Sequence, residues 1–252
     1  DLAACVNLAR GIAAHGADVT LAVRDLAKGE KAADEIRAAH PGAAVTVTQL
    51  DLTDLANIAA FATAFAKSHK RLDILINNAG IMGLPTREVT KDGFEAQFGT
   101  NHLGHYALTG NLMPLIRKTT GARIVTVSSN LHKNGSMNFD DLNAKKSYKG
   151  WGAYAQSKLA NLLFTSELQR RLSAAKVDVI AVAAHPGWSN TPLMVSGPMK
   201  GRGAFMKWLG QSVNNRMAQP VEMGALNEIY AAVAPGVQGN DYFGPDGKKN
   251  QS

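Results

Sequence analysis

The stretch LDILINNAG, residues 72–80, runs an apolar segment straight into two amides, an alanine and a glycine. Its first half, LDILI (72–76), is short and almost wholly apolar, which predicts a strand covered on both faces. The same pattern repeats on either side of it. DVTLAV (18–23) and AVTVTQL (44–50) come before, and ARIVTVSS (122–129), VDVIAVAAHPG (177–187) and a short NDYFG (240–244) come after. Helix-forming stretches lie between them. One closes near Gly16, and one runs from Leu26 to about His40 with Asp25 as its N-cap. Others span about 55–69 (capped at Thr53 or Asp54), about Asp92 to Lys118, and about Trp151 to Ala175. Strands alternating with helices imply βαβ units, so the expected fold is α/β, a doubly wound parallel sheet with helices on both faces. Ligands of such sheets bind beyond the carboxyl ends of the strands.

Bulk properties narrow the function. The 252 residues are 45% hydrophobic and 19% charged, with no linker, repeat or low-complexity tract, which fits one domain over residues 1–252. A formal charge of +7 suits an anionic ligand. Nucleic acid is not expected, because the basic residues are scattered and the pairs Lys145-Lys146 and Lys248-Lys249 have no interleaved aromatics. The single cysteine, Cys5, excludes an internal disulfide and fits a reducing, cytoplasmic setting. No apolar run approaches the roughly 20 residues that span a bilayer, so neither a membrane anchor nor a signal peptide is expected.

Three strand ends carry chemistry. Asn78, Ala79 and Gly80 would let a flat ligand approach the backbone, although Asn and Gly equally suit a plain turn. Ser128 and Ser129 offer hydroxyls to a carbonyl oxygen, or cap a helix. His185-Pro186-Gly187 reads as a turn. On the expected helix, YAQSK (154–158) places Tyr154 and Lys158 four positions apart on one face. A nearby ammonium favours the ionised phenol and should pull its pKa below the usual value of about 10. The helically spaced His102 and His105 have no carboxylate or thiol at ligand spacing, so no metal site is expected.

Taken together, Asn78-Ala79-Gly80, Asn101, Ser129, Tyr154 to Lys158, and Pro186-Gly187 with Thr191 occur in the order found in the short-chain dehydrogenase/reductase family, which has a Rossmann-like fold. The resemblance covers about Cys5 to Gly247. LAVRDLAKGE, NHLGHYALT, FDDL, AYAQSKLANLLF and HPGWSNT resemble the branch that holds retinol dehydrogenases and light-dependent protochlorophyllide reductases. Members of that branch have a longer loop between serine and tyrosine, and here the interval is 25 residues. A pigment reductase is not expected, since those enzymes use cysteines near the substrate.

The resemblance implies nicotinamide-dependent carbonyl reduction or alcohol oxidation. Tyr154 would exchange the proton and Lys158 would lower its pKa and bind the nicotinamide ribose. Ser129 would hold the substrate oxygen, and Asn101 would support a proton path from Lys158. Asp51 and Leu52 match positions beside the adenine, Asn78, Ala79 and Gly80 those beside the adenosine ribose, and Pro186, Gly187 and Thr191 those at the nicotinamide end. Arg24, at the end of DVTLAV, and Lys28 one turn later suit a 2′-phosphate, so NADP is expected over NAD. Residues 188–219 would cover the substrate, and their Met and aromatic content suits a small but bulky apolar carbonyl or alcohol. Oligomeric state is left open between a monomer and a homo-oligomer.

One part of the family pattern is missing. The family opens with a strand and a glycine-rich turn that carries the pyrophosphate. Here the last two glycines of that turn would fall at Ala3 and Cys5. The missing strand would lie between those at 18–23 and 72–76, leaving their backbone groups without partners. The expectation is that an upstream Val/Ile/Leu-rich strand exists in the natural protein. The alternative is a catalytically silent scaffold of the same fold acting through protein contacts.

Overall fold

The structure is a computed structural model and describes residues 2–187, 197–201, 203 and 221–245. Strand β1 (Val19–Val23) pairs in parallel with β2 (Val45–Gln49). Strands β3 (Ile74–Asn77), β4 (Ala122–Val127), β5 (Val179–Ala184) and β6 (Tyr242–Phe243) form a second parallel run in that order. Among the described residues no strand pairs β1 with β3. The break falls between the segments 18–23 and 72–76. Both halves still share a core, because Ala22 of β1 and Leu75 of β3 pack on the same apolar cluster.

Helices cover both faces. Helices α3 (Leu55–Ser68), α5 (Gly104–Ile116) and α6 (Gly150–Ala174) bury Ile58, Leu112 and Leu172 against Ile124 and Ala181 on one side. On the other side, α1 (Leu2–Ala13) and α2 (Leu26–Ala39) enclose Leu21, Ile36 and Val45, and α7 (Val221–Val233) lays Ala231 and Ala232 on Val125 and Val182. Consecutive residues of β4, Ile124 and Val125, face opposite layers, which is why the strand reads as an unbroken apolar run. Asp25 and Asp54 cap α2 and α3, accepting from the N–H of Lys28 (3.2 Å) and Asn57 (3.1 Å).

The long helix expected from Asp92 to Lys118 is broken. Gly93 turns at φ +84°, and the buried Glu95 carboxylate accepts from the N–H groups of Gln97 (3.0 Å) and Phe98 (2.7 Å). A single turn, α4 (Ala96–Phe98), passes into a π turn over Gly99–Leu103 before α5 begins. Gly104 explains how that wide turn fits, since a Cβ there would lie 2.5 Å from the Leu52 carbonyl oxygen and 2.9 Å from the Leu52 side chain.

Gly104→Ala is therefore expected to destabilise the protein. Overpacking against backbone costs about 1–3 kcal/mol, more than the roughly 1 kcal/mol that helical Ala gains over Gly. Thermal unfolding should shift down by about 2–8 °C; an unchanged or higher Tm contradicts the packing described.

Candidate active site

The end of β4 and one face of α6 meet through a short set of hydrogen bonds. The Val127 carbonyl accepts from Lys158 Nζ at 3.0 Å and from Asn161 Nδ2 at 3.1 Å. Ser128 Oγ donates to the Lys158 carbonyl at 2.9 Å. The Ser129 hydroxyl lies beside the Tyr154 phenol, whose ring centroid is 5.8 Å from Lys158 Nζ. Tyr154 and Lys158 are both buried, at 7% and 4% exposure.

The π turn delivers Asn101 to the same place. Its Oδ1 accepts from the Ile81 N–H (2.8 Å), and its Nδ2 donates to the Ile81 carbonyl (2.9 Å) and to Ser157 Oγ (2.9 Å). Ser157 in turn donates to the Tyr154 carbonyl at 2.7 Å. Gly80 closes the ring of contacts: a Cβ at that position would lie 3.3 Å from Asn101 Oδ1 and 3.6 Å from Lys158 Nζ. Asn101, Ser129, Tyr154, Lys158 and Gly80 thus come together at one end of the sheet. The two histidines lie behind them. His105 Nδ1 donates to the Asn101 carbonyl (3.0 Å), and burial holds this imidazole down at about 4, so it is neutral. His102 Nδ1 lies 3.2 Å from Asn161 Oδ1.

The electrostatics differ from the expectation in one respect. Burial pushes the Tyr154 phenol up to about 12, opposed by the neighbouring Ser129 hydroxyl. Lys158 does not pull it down, because its ammonium is directed at the Val127 carbonyl. Burial lowers Lys158 itself to about 8, while the charge of Glu228 acts to raise it.

Of the other expected residues, those described follow strand ends in the chain. Arg24 follows β1, is exposed, and has no ion pair among the described residues, whereas Lys28 Nζ lies 3.3 Å from Asp25. After β2, Asp51 Oδ1 accepts from both the N–H (2.9 Å) and hydroxyl (2.8 Å) of Thr53, and Leu52 is buried in the core. Asn78 turns its N–H back to the Ile76 carbonyl (3.1 Å), and Ala79 is exposed. Pro186 and Gly187 follow β5, with Gly187 at φ +70° and its N–H donating to His185 Nδ1 at 3.2 Å. Thr191 lies outside the described residues, as does the covering segment 188–219 apart from residues 197–201 and 203. No helix of the described residues is long and apolar enough to cross a membrane.

Fold and site together define a dinucleotide-type sheet whose strand ends carry a Ser–Tyr–Lys cluster. The sequence model of the short chain dehydrogenase family matches residues 5–198. Retinol dehydrogenase 14 of Homo sapiens is 41% identical over 249 residues, covering 91% of this chain and 71% of its own length. Retinol dehydrogenase 12 of Mus musculus is 49% identical over 179 residues, covering 71% of this chain and 56% of its own. Among solved structures, an uncharacterised protein from Mycobacterium Paratuberculosis is similar at a TM-score of 0.75 and 42% identity, over 95% of this chain and 76% of that one. A short chain dehydrogenase from Shigella flexneri 2a, complexed with NADP, shares the fold at a TM-score of 0.70 and 21% identity, over 94% of this chain and 89% of that one. The chain belongs to the short-chain dehydrogenase/reductase family and resembles its retinol dehydrogenase branch.

That family uses NAD(P), and the residues present fit a ribose of that cofactor between the β3 end and α6, although Gly80, expected beside the adenosine ribose, lies next to Lys158. Gly80 leaves the space between Asn101 and Lys158 that a side chain would fill, and the Lys158 ammonium has donors beyond the one given to Val127. The described residues include no glycine-rich turn for the pyrophosphate.

Three contributors are not evident from the sequence motif. Gln156 ties down the polar loop before α6, accepting from the Asn138 N–H (3.0 Å) and donating to the Leu142 carbonyl (3.1 Å). Ser157 links Asn101 to Tyr154. Glu228 of α7 is 3% exposed, with Oε2 lacking a hydrogen-bond partner, and burial raises its carboxyl to about 8. The available signal was its spacing, since positions 225, 228 and 232 put an acid in line with Ala225 and Ala232 on a buried helix face.

Glu228 makes stability depend on pH. Its folded pKa lies above the unfolded one, so its contribution is present below about 4.5 and lost as pH rises to about 8. Relative to Glu228→Gln, which mimics the neutral carboxyl, the wild type should lose up to about 1.4 kcal/mol per pH unit across that window. Denaturant unfolding of both proteins between pH 5 and 8 measures this, and a constant difference would sink the assignment.

Proposed function

We propose that this protein interconverts a carbonyl and an alcohol on a bulky apolar substrate, using NADP(H), with Tyr154 exchanging the proton. The observation that carries the proposal is the buried Tyr154 phenol beside Ser129, with Lys158 one turn along the same buried face of α6 and 5.8 Å from the phenol ring. Bound NADP(H) supplies or accepts the hydride. With its pKa near 12, Tyr154 is protonated at neutral pH and suited to donate to a carbonyl oxygen during reduction. Ser129 holds that oxygen beside the phenol. Lys158, with a pKa near 8, is largely cationic at pH 7, lies 5.8 Å from the phenol ring, and keeps donors free for the nicotinamide ribose. Asn101 keeps the Ile81 backbone and Ser157 in place around the pair.

Two further features support the finer parts of this reading. Arg24, exposed beyond β1 and free of ion pairs among the described residues, is available to a 2′-phosphate, while Asp25 is occupied as the α2 cap. The relatives named for retinol act, by their names, on an apolar alcohol, which favours an apolar substrate here.

Tyr154→Phe tests the proton step. It keeps the ring and should lower turnover by about 100- to 10,000-fold while leaving cofactor affinity nearly unchanged. Retention of half the wild-type rate on a confirmed carbonyl substrate would falsify the role. Arg24→Glu tests the cofactor. NADPH affinity should fall about tenfold or more and NADH affinity should hold or improve, consistent with charge-assisted pairing of about 1.5–3 kcal/mol. Equal affinity of the wild type for both cofactors would refute the preference.

A further inference from the structure

Trp151 lies one helical turn before Tyr154, on the side of the phenol away from Lys158. Its ring meets the Tyr154 ring edge-on, with centroids 6.3 Å apart at 85°. Trp151 is 47% exposed, yet its surroundings are tightly built. At Gly83, where φ is +58°, a Cβ would lie 2.8 Å from Pro198 and 3.3 Å from the Trp151 ring, so three chain segments converge on one corner. Each segment is anchored. The Asn101 amide holds both backbone groups of Ile81, and the Leu84 carbonyl accepts from the Tyr148 hydroxyl at 3.0 Å. Lys200 Nζ pairs with the Glu88 carboxylate at 2.6 Å.

Residues 80–84 therefore run beside α6, from Lys158 and Asn101 at one end to Trp151 at the other. The seven steps along the helix from Trp151 to Lys158 span about 10 Å, with Tyr154 between them. Lys158 marks the cofactor side of the phenol, and Trp151 stands on the opposite side, where a substrate delivering its oxygen to Tyr154 and Ser129 would extend.

Resting on the oxidoreductase reading above, we infer that Trp151 is a specificity-determining residue, stacking against a planar, conjugated or aryl part of the substrate. Stacking of flat π systems adds to simple area burial, so a planar ligand gains more from this indole than a saturated one of equal carbon number.

The test uses the full chain with NADP+ present, so that aldehydes bind without being reduced. Dissociation constants are measured by equilibrium dialysis for cinnamaldehyde and for its saturated analogue 3-cyclohexylpropanal. Trp151→Leu should weaken cinnamaldehyde about two- to tenfold and the saturated aldehyde less than twofold. Trp151→Phe should restore most of the difference, and its melting curve guards against a folding defect. Equal weakening of both aldehydes, no weakening, or a wild type without preference for the planar one overturns the inference. NADPH-dependent turnover by the wild type is read separately. Turnover with binding insensitive to Trp151 sinks this inference alone, whereas Trp151-dependent binding without turnover of any aldehyde sinks the oxidoreductase reading.

Discussion

At the last position of β4, the Val127 carbonyl accepts from two donors on successive turns of α6, Lys158 Nζ and Asn161 Nδ2. Two bonds from one helix to one strand-end oxygen fix both the rotation of the helix and its distance from the sheet. The chain just beyond is tied back as well, because Ser128 Oγ donates to the Lys158 carbonyl. With that junction set, Ser129 has to emerge beside Tyr154. The partners of Asn101, Ser157 and Ile81, then connect the π turn to the same helix. Breaking the Val127 junction would release the alignment of four segments at once.

Burial is the dominant electrostatic influence at this junction. It drives the phenol of Tyr154 and the carboxyl of Glu228 up, and the ammonium of Lys158 down. All three shifts favour neutral forms, as expected where water is excluded. Lys158 and Glu228 partly offset each other, since each charge favours the other's ionised form. A helix-surface Tyr–Lys pair would behave as the spacing alone suggests, with the ammonium lowering the phenol. Depth beneath the loops reverses that order here, and a one-dimensional sequence carries little information on depth.

The parts of the fold that were legible in the sequence share a local cause. β4 and β5 are covered on both faces and read as apolar runs, and Asp25 and Asp54 cap helices through bonds spanning three residues. The parts that were not legible depend on distant partners. The helical pattern from Asp92 onward gave no sign of the π turn, because the space for it is set by Leu52 against Gly104. Glu228 looks like a surface acid until α7 is laid on the sheet. Arg24 and Ala79 were placed at strand ends correctly, but which of their neighbours would be exposed required the tertiary structure. Trp151 shows the same limit: its spacing from Tyr154 was visible, while the corner it shares with Gly83 and Pro198 was not.

The inner face of α6 is polar where a packing helix would be apolar. Residues 154, 157, 158, 161 and 165 occupy its buried side as Tyr, Ser, Lys, Asn and Thr, where a packing helix would carry Leu or Ala. Each polar group there must recover the hydrogen bonds it gave up to water, at about 1–3 kcal/mol for each one left unmet. Recovery is achieved through the Tyr154 and Asn161 carbonyls for Ser157 and Thr165, and the Val127 carbonyl for Lys158 and Asn161. A core of apolar residues would reach similar stability with fewer constraints. A row of satisfied but aligned donors offers something apolar packing lacks: fixed hydroxyl and ammonium groups aimed at the end of the sheet. The single-turn spacing that places Tyr154 over Lys158 also places Trp151 beyond it, so one helix orders ammonium, phenol and indole in sequence along the site.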